Sequence, residues 1–209
     1  MNIEKLFKSR KTLLEMIETR GFNVESLTNY SLDEIRIMLS NHSKSNKDRS
    51  PLDIMLNSDK GQTVFVKYIL TPKIRLSNIR TLIEHFIEEM NSGDTFIAII
   101  TEPLTYDDSF EEYVNNIYLK KKIFIQYFYI NTITFNVTHH DMVPKHELIS
   151  EDEKNKLVRT LNITDISKLP KIKKTDPIAK YYGMKLGDVT RIYRPSGTSG
   201  ISIYYRLCE

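Results

Sequence analysis

Residues 95–100 read TFIAII, so that every position after the first is apolar. A strand with one face in water would alternate apolar and polar side chains, so this run predicts a strand that is covered on both faces. Helical periodicity flanks it, with an apolar stripe over 79–90 and a second helix expected at 107–120. A buried strand between two helices indicates an α/β domain with some parallel pairing.

The segment before this strand predicts two helices. The apolar positions of the first recur at helical spacing: Leu6, Leu13, Leu14 and Ile17. Gly21 is expected to end that helix in a left-handed conformation. Ser31 and Glu34 have the spacing of a capping box, which predicts the start of the second helix. The polar stretch at 40–51 is expected to be a surface loop.

Four further strands are expected in the first two thirds of the chain, at 53–56, 63–70, 123–130 and 133–138. A helix that Ser77 opens and Gly93 closes separates the second of these from the apolar run. The predicted order is therefore helix, helix, strand, strand, helix, strand, helix, strand, strand. That alternation also favours the α/β class.

The sequence changes character after residue 138, which predicts one domain at 1–138 and a smaller α+β domain at 139–209. SEDE at 150–153 is a second capping box, and the helix it opens is expected to turn Leu157, Val158 and Leu161 inward. DPIAKYYG at 176–183 predicts another short helix, because it has a capping Asp, a Pro suited to the first turn and a Gly suited to the exit.

Two strands are expected to follow that helix. The first covers 189–194 and is expected to end at Pro195, which cannot donate a hydrogen bond to a neighbouring strand. The second covers 201–207 and alternates in character. One face of it carries Ile201, Ile203, Tyr205 and Leu207.

The two predicted domains differ in charge. Residues 1–138 carry 17 Lys and Arg against 18 Asp and Glu, a net charge of −1, whereas residues 139–209 carry 13 against 9, a net charge of +4. The basic excess suits phosphate or an acidic protein surface, and a solvated face explains it equally well. The total of +3 is too small to indicate a nucleic-acid partner by itself.

Cys208 is the only cysteine, so no intrachain disulfide can form and a reducing compartment is expected. The apolar runs are too short to span a bilayer, and the N-terminus lacks the apolar core of a signal peptide. Heavy use of Ile, Lys and Asn indicates an AT-rich genome.

No catalytic motif is visible in the sequence: it lacks a Gly-rich phosphate loop, a paired-cysteine metal motif and HExxH. One metal-like cluster exists, at His139, His140, Asp141 and His146. Adjacent histidines on an extended segment point to opposite faces, which favours a solvated linker over a metal site. We therefore expect no metal and no cofactor.

A Mg²⁺-dependent nuclease is the enzyme that the α/β domain could most readily host. It would use Asp53 and Lys67. Such a site needs at least two carboxylates, and Phe65 occupies the position two residues before the lysine where the second is required. The sequence thus disfavours a catalytic residue in this chain.

The C-terminal domain has more aromatic and arginine side chains than a core of about 70 residues requires. They are Tyr181, Tyr182, Tyr193, Tyr204, Tyr205, Arg191, Arg194 and Arg206. One interpretation is that they only define tight turns. The other, which we favour, is a docking module that gains stability from a partner, because exposed aromatic and arginine groups are typical of interfaces.

The same region resembles the assembly domain of RNA polymerase subunit 5. That subunit is shared by eukaryotic polymerases I, II and III, and its C-terminal domain has an archaeal counterpart. The resemblance is carried by LPKI at 169–172, DPIAKYYGMKLGDV at 176–189, IYRPS at 192–196, Gly200 and YR at 205–206. Upstream, MVPKHELI at 142–149 resembles the LVPEH segment that opens this domain in the family.

The N-terminal part resembles the eukaryotic form of the same family. LFKSRKT at 6–12 and ETRGF at 18–22 are similar to its first helix, where an Arg-Lys-Thr run is followed by Arg-Gly-Tyr. The element order is similar to the family's jaw domain. The archaeal counterparts lack that domain, so the resemblance is to the eukaryotic type or to a large DNA virus's version of it.

The resemblance implies a non-catalytic subunit of a multisubunit DNA-directed RNA polymerase that acts in transcription. Its C-terminal domain would pack on the largest polymerase subunit. The jaw would lie near downstream duplex DNA and have a fold similar to a restriction-endonuclease core without the active site. The implied location is intracellular: the nucleus for a cellular protein, or the virion or a cytoplasmic viral factory for a viral one. No membrane is implied.

The motif positions imply a set of polymerase-interface residues. They are Pro170, Asp176, Pro177, Tyr181, Tyr182, Gly183, Gly187, Arg191, Arg194, Pro195, Ser196, Gly200, Tyr205 and Arg206. Gly197 departs from the pattern, because the family has Glu there in its RPSETAG run.

A loop after the family's central strand lies near DNA, and it corresponds here to Thr101, Pro103 and Leu104. Acidic residues surround it, and an acidic loop is repelled by phosphate, so a close DNA contact is disfavoured. Two other functions stay open: a free-standing DNA-binding transcription factor, which the near-neutral N-terminal domain disfavours, and the nuclease described above.

Overall fold

The computed structural model describes residues 2–42, 50–59, 61–71, 75–103, 108–198 and 200–209. The chain divides into two compact units, Met1–Phe135 and Asn136–Glu209. The division falls a few residues before the boundary that we expected, and the assignment of these units as functional domains stays a prediction. Each unit has its own four-stranded sheet, so the chain is a mixed α/β protein consistent with the α+β class.

Three helices open the first unit: α1 (Ile3–Thr19), α2 (Glu25–Thr28) and α3 (Leu32–His42). The predicted apolar positions of α1 are buried, and Gly21 follows the helix with a φ of +92°. The capping box of α3 is confirmed: Ser31 N donates to Glu34 Oε2 at 2.7 Å, and Glu34 N donates to Ser31 Oγ at 3.2 Å. Helix α2 was not predicted, since four residues are too few to display helical periodicity.

The first sheet contains β1 (Ile54–Asn57), β2 (Thr63–Ile69), β3 (Thr95–Ile100) and β4 (Phe124–Tyr129), in the order β1-β2-β3-β4. Strand β1 is antiparallel to β2, whereas β3 pairs in parallel with both of its neighbours. All residues of β3 after the first are buried. Helices α4 (Leu76–Glu89) and α5 (Asp108–Lys121) supply the crossovers. The predicted buried strand and its parallel pairing are confirmed.

The prediction of a strand at 133–138 is wrong. Two 3₁₀ helices, Ile130–Ile133 and Val137–His139, occupy this region. Short polar side chains satisfy the local backbone: Thr132 Oγ1 donates to Tyr129 O, and Asn136 Oδ1 accepts from Thr138 N. Such local bonds compete with strand pairing and favour turns.

The boundaries expected for α4 also need correction. The helix begins at Leu76, so Ser77 lies inside it, and it ends at Glu89. Gly93 belongs to the turn that precedes β3, where its φ is +98°. The expected loop at 40–51 is helical up to His42, and residues 43–49 lie outside the described part of the chain.

The second unit contains β5 (Lys145–Leu148), α6 (Glu151–Thr160), β6 (Lys171–Ile172), α7 (Pro177–Tyr182), β7 (Val189–Ser196) and β8 (Gly200–Cys208). A third 3₁₀ helix spans Ile166–Lys168. The sheet order is β5-β7-β8-β6. One hydrophobic cluster joins Leu157 of α6 to Val189 and Leu207, and another joins Ala179 of α7 to Cys208. Because neighbouring residues of a strand face opposite sides, the two helices cover opposite faces.

Two details of the second unit differ from expectation. Strand β7 continues through Pro195 to Ser196, which pairs with Gly200. This is tolerated because β5 begins at Lys145, opposite Tyr193, so no described strand on that side needs an N–H from Pro195. In α6, whose capping box is confirmed, Leu161 lies just past the C-terminal end and is 46% exposed, whereas Lys154 is buried.

None of the described helices is long and apolar enough to cross a membrane.

Candidate docking surface

The short helix α7 is built by its caps, as the sequence predicts. Asp176 Oδ1 accepts a 2.8 Å hydrogen bond from Ile178 N, and Pro177 occupies the first turn. Gly183 ends the helix in the left-handed region, with φ 64° and ψ 37°. These three predicted site residues therefore shape the backbone around α7.

Two adjacent tyrosines of α7 have different environments. Tyr181 is buried at 6% exposure, and its hydroxyl accepts a 3.0 Å hydrogen bond from Asn136 Nδ2. Tyr182 is partly exposed and packs edge-on against Tyr181, with ring centroids 5.4 Å apart. The exposed candidate for a partner contact is thus Tyr182, whereas Tyr181 belongs to the core of its own unit.

His146 lies beside Tyr182 on this face of the sheet, and Arg194 and Arg206 are close enough to His146 for their charges to affect it. The ring of His146 is 6.4 Å from that of Tyr182, and its Nδ1 is 2.7 Å from Pro144 O. Burial lowers the pKa of His146, and the Arg206 and Arg194 charges act in the same direction. The Pro144 hydrogen bond and the Asp176 carboxylate oppose that shift without reversing it. This environment favours a neutral imidazole between two arginines.

Arg194 is the most accessible of these cations. Its guanidinium lies 5.0 Å from the centre of the Tyr204 ring, and both residues are exposed. Arg194 and Arg206 make no ion pair with a carboxylate among the residues that the structure describes. An acidic group of another molecule could therefore approach both guanidinium groups.

The opposite face of the sheet carries an ionic network instead. Arg191 donates to Glu153 at 3.0 Å and to Glu147 at 3.4 Å. Tyr193 Oη donates to the same Glu147 carboxylate at 2.6 Å, and the Arg191 guanidinium lies 5.8 Å from the centre of the Tyr205 ring. These partners are internal, so Arg191 and Tyr205 stabilise the sheet before any docking occurs.

The other predicted interface residues lie at turns. Pro170 O accepts the Leu207 N–H at 2.8 Å, and Gly187, with φ +89°, donates to Cys208 O at 3.0 Å. Pro195, Ser196 and Gly200 form the end of the β7–β8 hairpin. The structure thus places the predicted interface residues in three regions. These are the face of the sheet beside α7, the opposite face, which carries Arg191, and the end of the β7–β8 hairpin.

The prediction missed two apolar residues of the same hairpin. Ile201 and Ile203 are 64% and 51% exposed. The alternation of 201–207 placed them on one face with Leu207, which is buried. The sequence could not indicate that only one end of this face is covered.

Two of the three residues of the loop expected near DNA lie in the described part of the chain. Thr101 and Pro103 follow β3, and Glu102 between them is exposed. Leu104 lies outside the described residues.

The candidate nuclease residues contact each other in the first unit. Lys67 Nζ is 2.6 Å from Asp53 Oδ2, and Asp53 also accepts hydrogen bonds from Ser50 N and Tyr68 N. The carboxylate therefore has a structural role that joins the start of β1 to β2. In the described ranges no group of three or more His, Cys, Asp or Glu could hold a metal ion.

The histidine cluster is engaged locally. His139 Nε2 lies 3.3 Å from Asn136 Nδ2, and His140 Nδ1 accepts from Met142 N at 3.1 Å. His146 Nδ1 is within hydrogen-bond distance of Pro144 O, as described above. All three contacts are local, and they lie in turns or at the start of β5.

Comparison with known proteins covers both units. The family described as RNA polymerase Rpb5, N-terminal domain, matches residues 1–86, and RNA polymerase Rpb5, C-terminal domain, matches residues 135–208. The chain is 30% identical over 207 residues to the "DNA-directed RNA polymerases I, II, and III subunit rpabc1" of Dictyostelium discoideum, covering 99% of this chain and 98% of that relative.

Two further relatives show similar coverage. The Caenorhabditis elegans subunit RPABC1 is 30% identical, over 97% of this chain and 95% of the relative. The "DNA-directed RNA polymerase subunit 5-like protein 1" of Arabidopsis thaliana is 28% identical, over 98% and 96%. Because these relatives align across nearly their full length and both family descriptions match in order, the chain belongs to the RNA polymerase Rpb5 family.

Proposed function

We propose that this chain is a non-catalytic subunit of a multisubunit DNA-directed RNA polymerase. The observation that carries the proposal is the nearly full-length similarity to polymerase subunits, which includes both units of the chain. Other polymerase subunits are then its partners. The relatives serve polymerases I, II and III, which supports an intracellular site of action and, for a cellular protein, the nucleus.

The second unit, close to the expected domain 139–209, is in this proposal the assembly domain that docks on the largest polymerase subunit. Its net charge of +4, the exposed Arg194 and the accessible Tyr182 support such a role. Arginine and tyrosine often dominate the energy of protein interfaces. Asp176, Pro177, Gly183 and Gly187 would act by shaping the backbone that presents them.

The first unit is in this proposal the jaw domain, with a fold similar to a restriction-endonuclease core that lacks the active site. One antiparallel strand beside three parallel strands, with helices in the crossovers, supports that likeness. The Asp53–Lys67 ion pair supports the loss of catalysis, because the lysine occupies the carboxylate that a metal would need. Downstream DNA would be a weak or indirect partner, since Glu102 is exposed beside Thr101 and Pro103.

The experiment that tests the proposal is recovery of the polymerase with the tagged full chain, with the co-purifying subunits identified by mass spectrometry. We expect the largest subunit among them. Arg194→Ala should reduce its recovery, since a hot-spot arginine contributes about 1–3 kcal/mol to an interface. Arg159→Ala is the matched control, because Arg159 is an exposed arginine on α6 of the same unit.

The rival functions have their own readouts in the same preparation. A nuclease would degrade duplex DNA when the pure chain is incubated with Mg²⁺, and we expect no cleavage. A free-standing DNA-binding factor would bind duplex DNA with a steep dependence on salt concentration. Cleavage or such binding, together with no polymerase subunits in the recovered material, would overturn the proposal.

A further inference from the structure

We propose that the outer edge of β8, from Ile201 to Tyr205, pairs with an extended segment of another polymerase subunit. That segment would add a strand to the sheet of the second unit. The inference rests on the proposed function, and it names the backbone through which the docking occurs.

The edge is open along most of its length. On one side β8 pairs with β7 from Gly200 to Leu207. On its other side β6 pairs only with Leu207 and Cys208. Upstream of Leu207, the described chain therefore provides no strand neighbour on that side. A strand edge of this kind is a template for main-chain hydrogen bonds with another polypeptide.

The hydrogen bonds at the end of β8 identify which backbone groups point outward. Leu207 N donates to Pro170 O and Glu209 N donates to Ile172 O, both toward the β6 side. Cys208 N donates to Asp188 O on the β7 side. Because the direction alternates along a strand, Ile201, Ile203 and Tyr205 turn their N–H and C=O groups toward the open edge.

The open edge lacks the features that protect exposed strands from pairing. Natural edges are commonly blocked by lysine, proline or a bulge. From Ile201 to Tyr205 the strand has no charged residue and no proline, and every residue of it pairs regularly with β7. Ile201 and Ile203 are instead more than half exposed. An unprotected apolar edge is expected where a partner covers it.

The two faces beside the edge define the chemistry of the partner segment. Ile201 and Ile203 lie on one face, so the incoming strand should present apolar side chains there. Arg206 and Tyr204 lie on the other, and Arg194 shares that face because it pairs with Ser202. The described part of the chain pairs neither arginine with a carboxylate, so the incoming strand should present acidic side chains there. A second copy that paired through its own β8 would bring a second Arg206 and no acidic side chain, because residues 200–208 contain neither Asp nor Glu, so we assign the edge to a different subunit.

Hydrogen exchange of backbone amides tests this pairing directly. The full chain is measured alone and within the purified polymerase, with resolution at single amides. Exchange at Ile201, Ile203 and Tyr205 should slow by about ten-fold or more in the complex. Tyr204 and Arg206 amides should change less, since they already face β7.

The outcomes separate the inference from the function on which it rests. If the chain is in the polymerase and the three amides exchange as fast as in the free chain, the inference is overturned and the function stands. If the chain does not enter a polymerase, the proposed function fails. A dimer of the pure chain with the same amides protected would assign the edge to a second copy and also overturn the inference.

A pair of variants separates the backbone from the side chain. Ile203→Pro removes the outward N–H, whereas Ile203→Thr keeps it and shortens the apolar side chain. We expect Ile203→Pro to lower polymerase recovery by about ten-fold or more, and Ile203→Thr by a factor of about three or less. Equal losses, or no loss for the proline variant, would overturn the inference. Circular dichroism of the full chain checks folding, and the hydrogen-exchange comparison decides the question if the proline variant does not fold.

Discussion

Asn136 Nδ2 donates a 3.0 Å hydrogen bond to the hydroxyl of Tyr181, a residue 45 positions further along the chain. The same Asn136 side chain accepts from the Thr138 backbone and hydroxyl through Oδ1. It therefore joins the start of the second unit to α7. This relationship explains why the compact unit begins at Asn136 rather than at the histidines that follow it.

We expect Asn136→Ala to destabilise the second unit by about 1–3 kcal/mol, because the buried Tyr181 hydroxyl and the Thr138 amide each lose a partner. Native-state hydrogen exchange of the α7 and β7 amides measures the change within that unit. Asn155→Ala is the control, since Asn155 is exposed on α6, and its effect should stay within about 0.5 kcal/mol. Equal effects of the two substitutions would contradict the role given to Asn136.

The second prediction concerns two glycines of the docking region. Gly183 has a φ of 64°, so Gly183→Ala should cost about 1 kcal/mol through the left-handed conformation. Gly197 has no such conformation, and a Cβ added there would meet nothing within 4 Å. Gly197→Ala, and Gly197→Glu as in the family pattern, should leave the thermal midpoint nearly unchanged. A large loss at Gly197 would mean that the departure from the family is structurally required.

The third prediction is a pH dependence of stability to which Arg191 contributes through Glu153 and Glu147. The pKa of Glu153 is lowered first by the hydrogen bond from the Ser150 backbone and then by Arg191. The pKa of Glu147 is lowered first by the hydrogen bond from the Tyr193 hydroxyl and also by Arg191, although burial acts in the opposite direction. Carboxyl groups with a lowered pKa in the folded state bind protons more readily when unfolded. Their stabilisation is therefore complete above the ordinary value of 4.5 and is lost as the pH falls below it.

Urea unfolding at pH 7, 5, 4 and 3 measures this dependence. Arg191→Met should lower the free energy of unfolding at pH 7 and reduce its loss below pH 4.5. The reason is that folding then lowers the pKa values of Glu147 and Glu153 by less. Arg159→Met is the control and should leave the slope unchanged, since Arg159 is exposed on α6. Parallel curves for the native chain and Arg191→Met would rule out the network as the cause.

The fourth prediction tests the role of the Asp53–Lys67 ion pair in the first unit. Asp53→Ala should destabilise by about 3 kcal/mol or more, because it leaves the buried Lys67 ammonium without that carboxylate. Lys67→Met should cost less, since the Ser50 and Tyr68 amides still donate to Asp53. A double-mutant cycle should return a coupling of about 1 kcal/mol or more. Additive losses would show that the pair contributes nothing specific.

Several elements could be predicted from interactions between residues that are close together in the sequence. The caps of α7 at Asp176 and Gly183 and the capping box of Ser150 involve residues within a few positions of each other, so the sequence displays them directly. The apolar run of β3 likewise predicted its burial and its parallel neighbours. By contrast, 133–138 looked like a strand because its apolar residues alternate. The backbone forms 3₁₀ helices there, with Thr132 Oγ1 donating to Tyr129 O and Asn136 Oδ1 accepting from Thr138 N.

The sequence by itself determined the family, the order of most elements and the residues from which a docking surface could be built. Only the tertiary structure decided how those residues are used. It buries Tyr181 against Asn136, pairs Arg191 with internal carboxylates, and leaves Ile201 and Ile203 uncovered. The physical reason is that exposure and pairing depend on how far a covering element reaches: the cluster around Leu157 extends to Leu207, and β6 begins only beside Leu207.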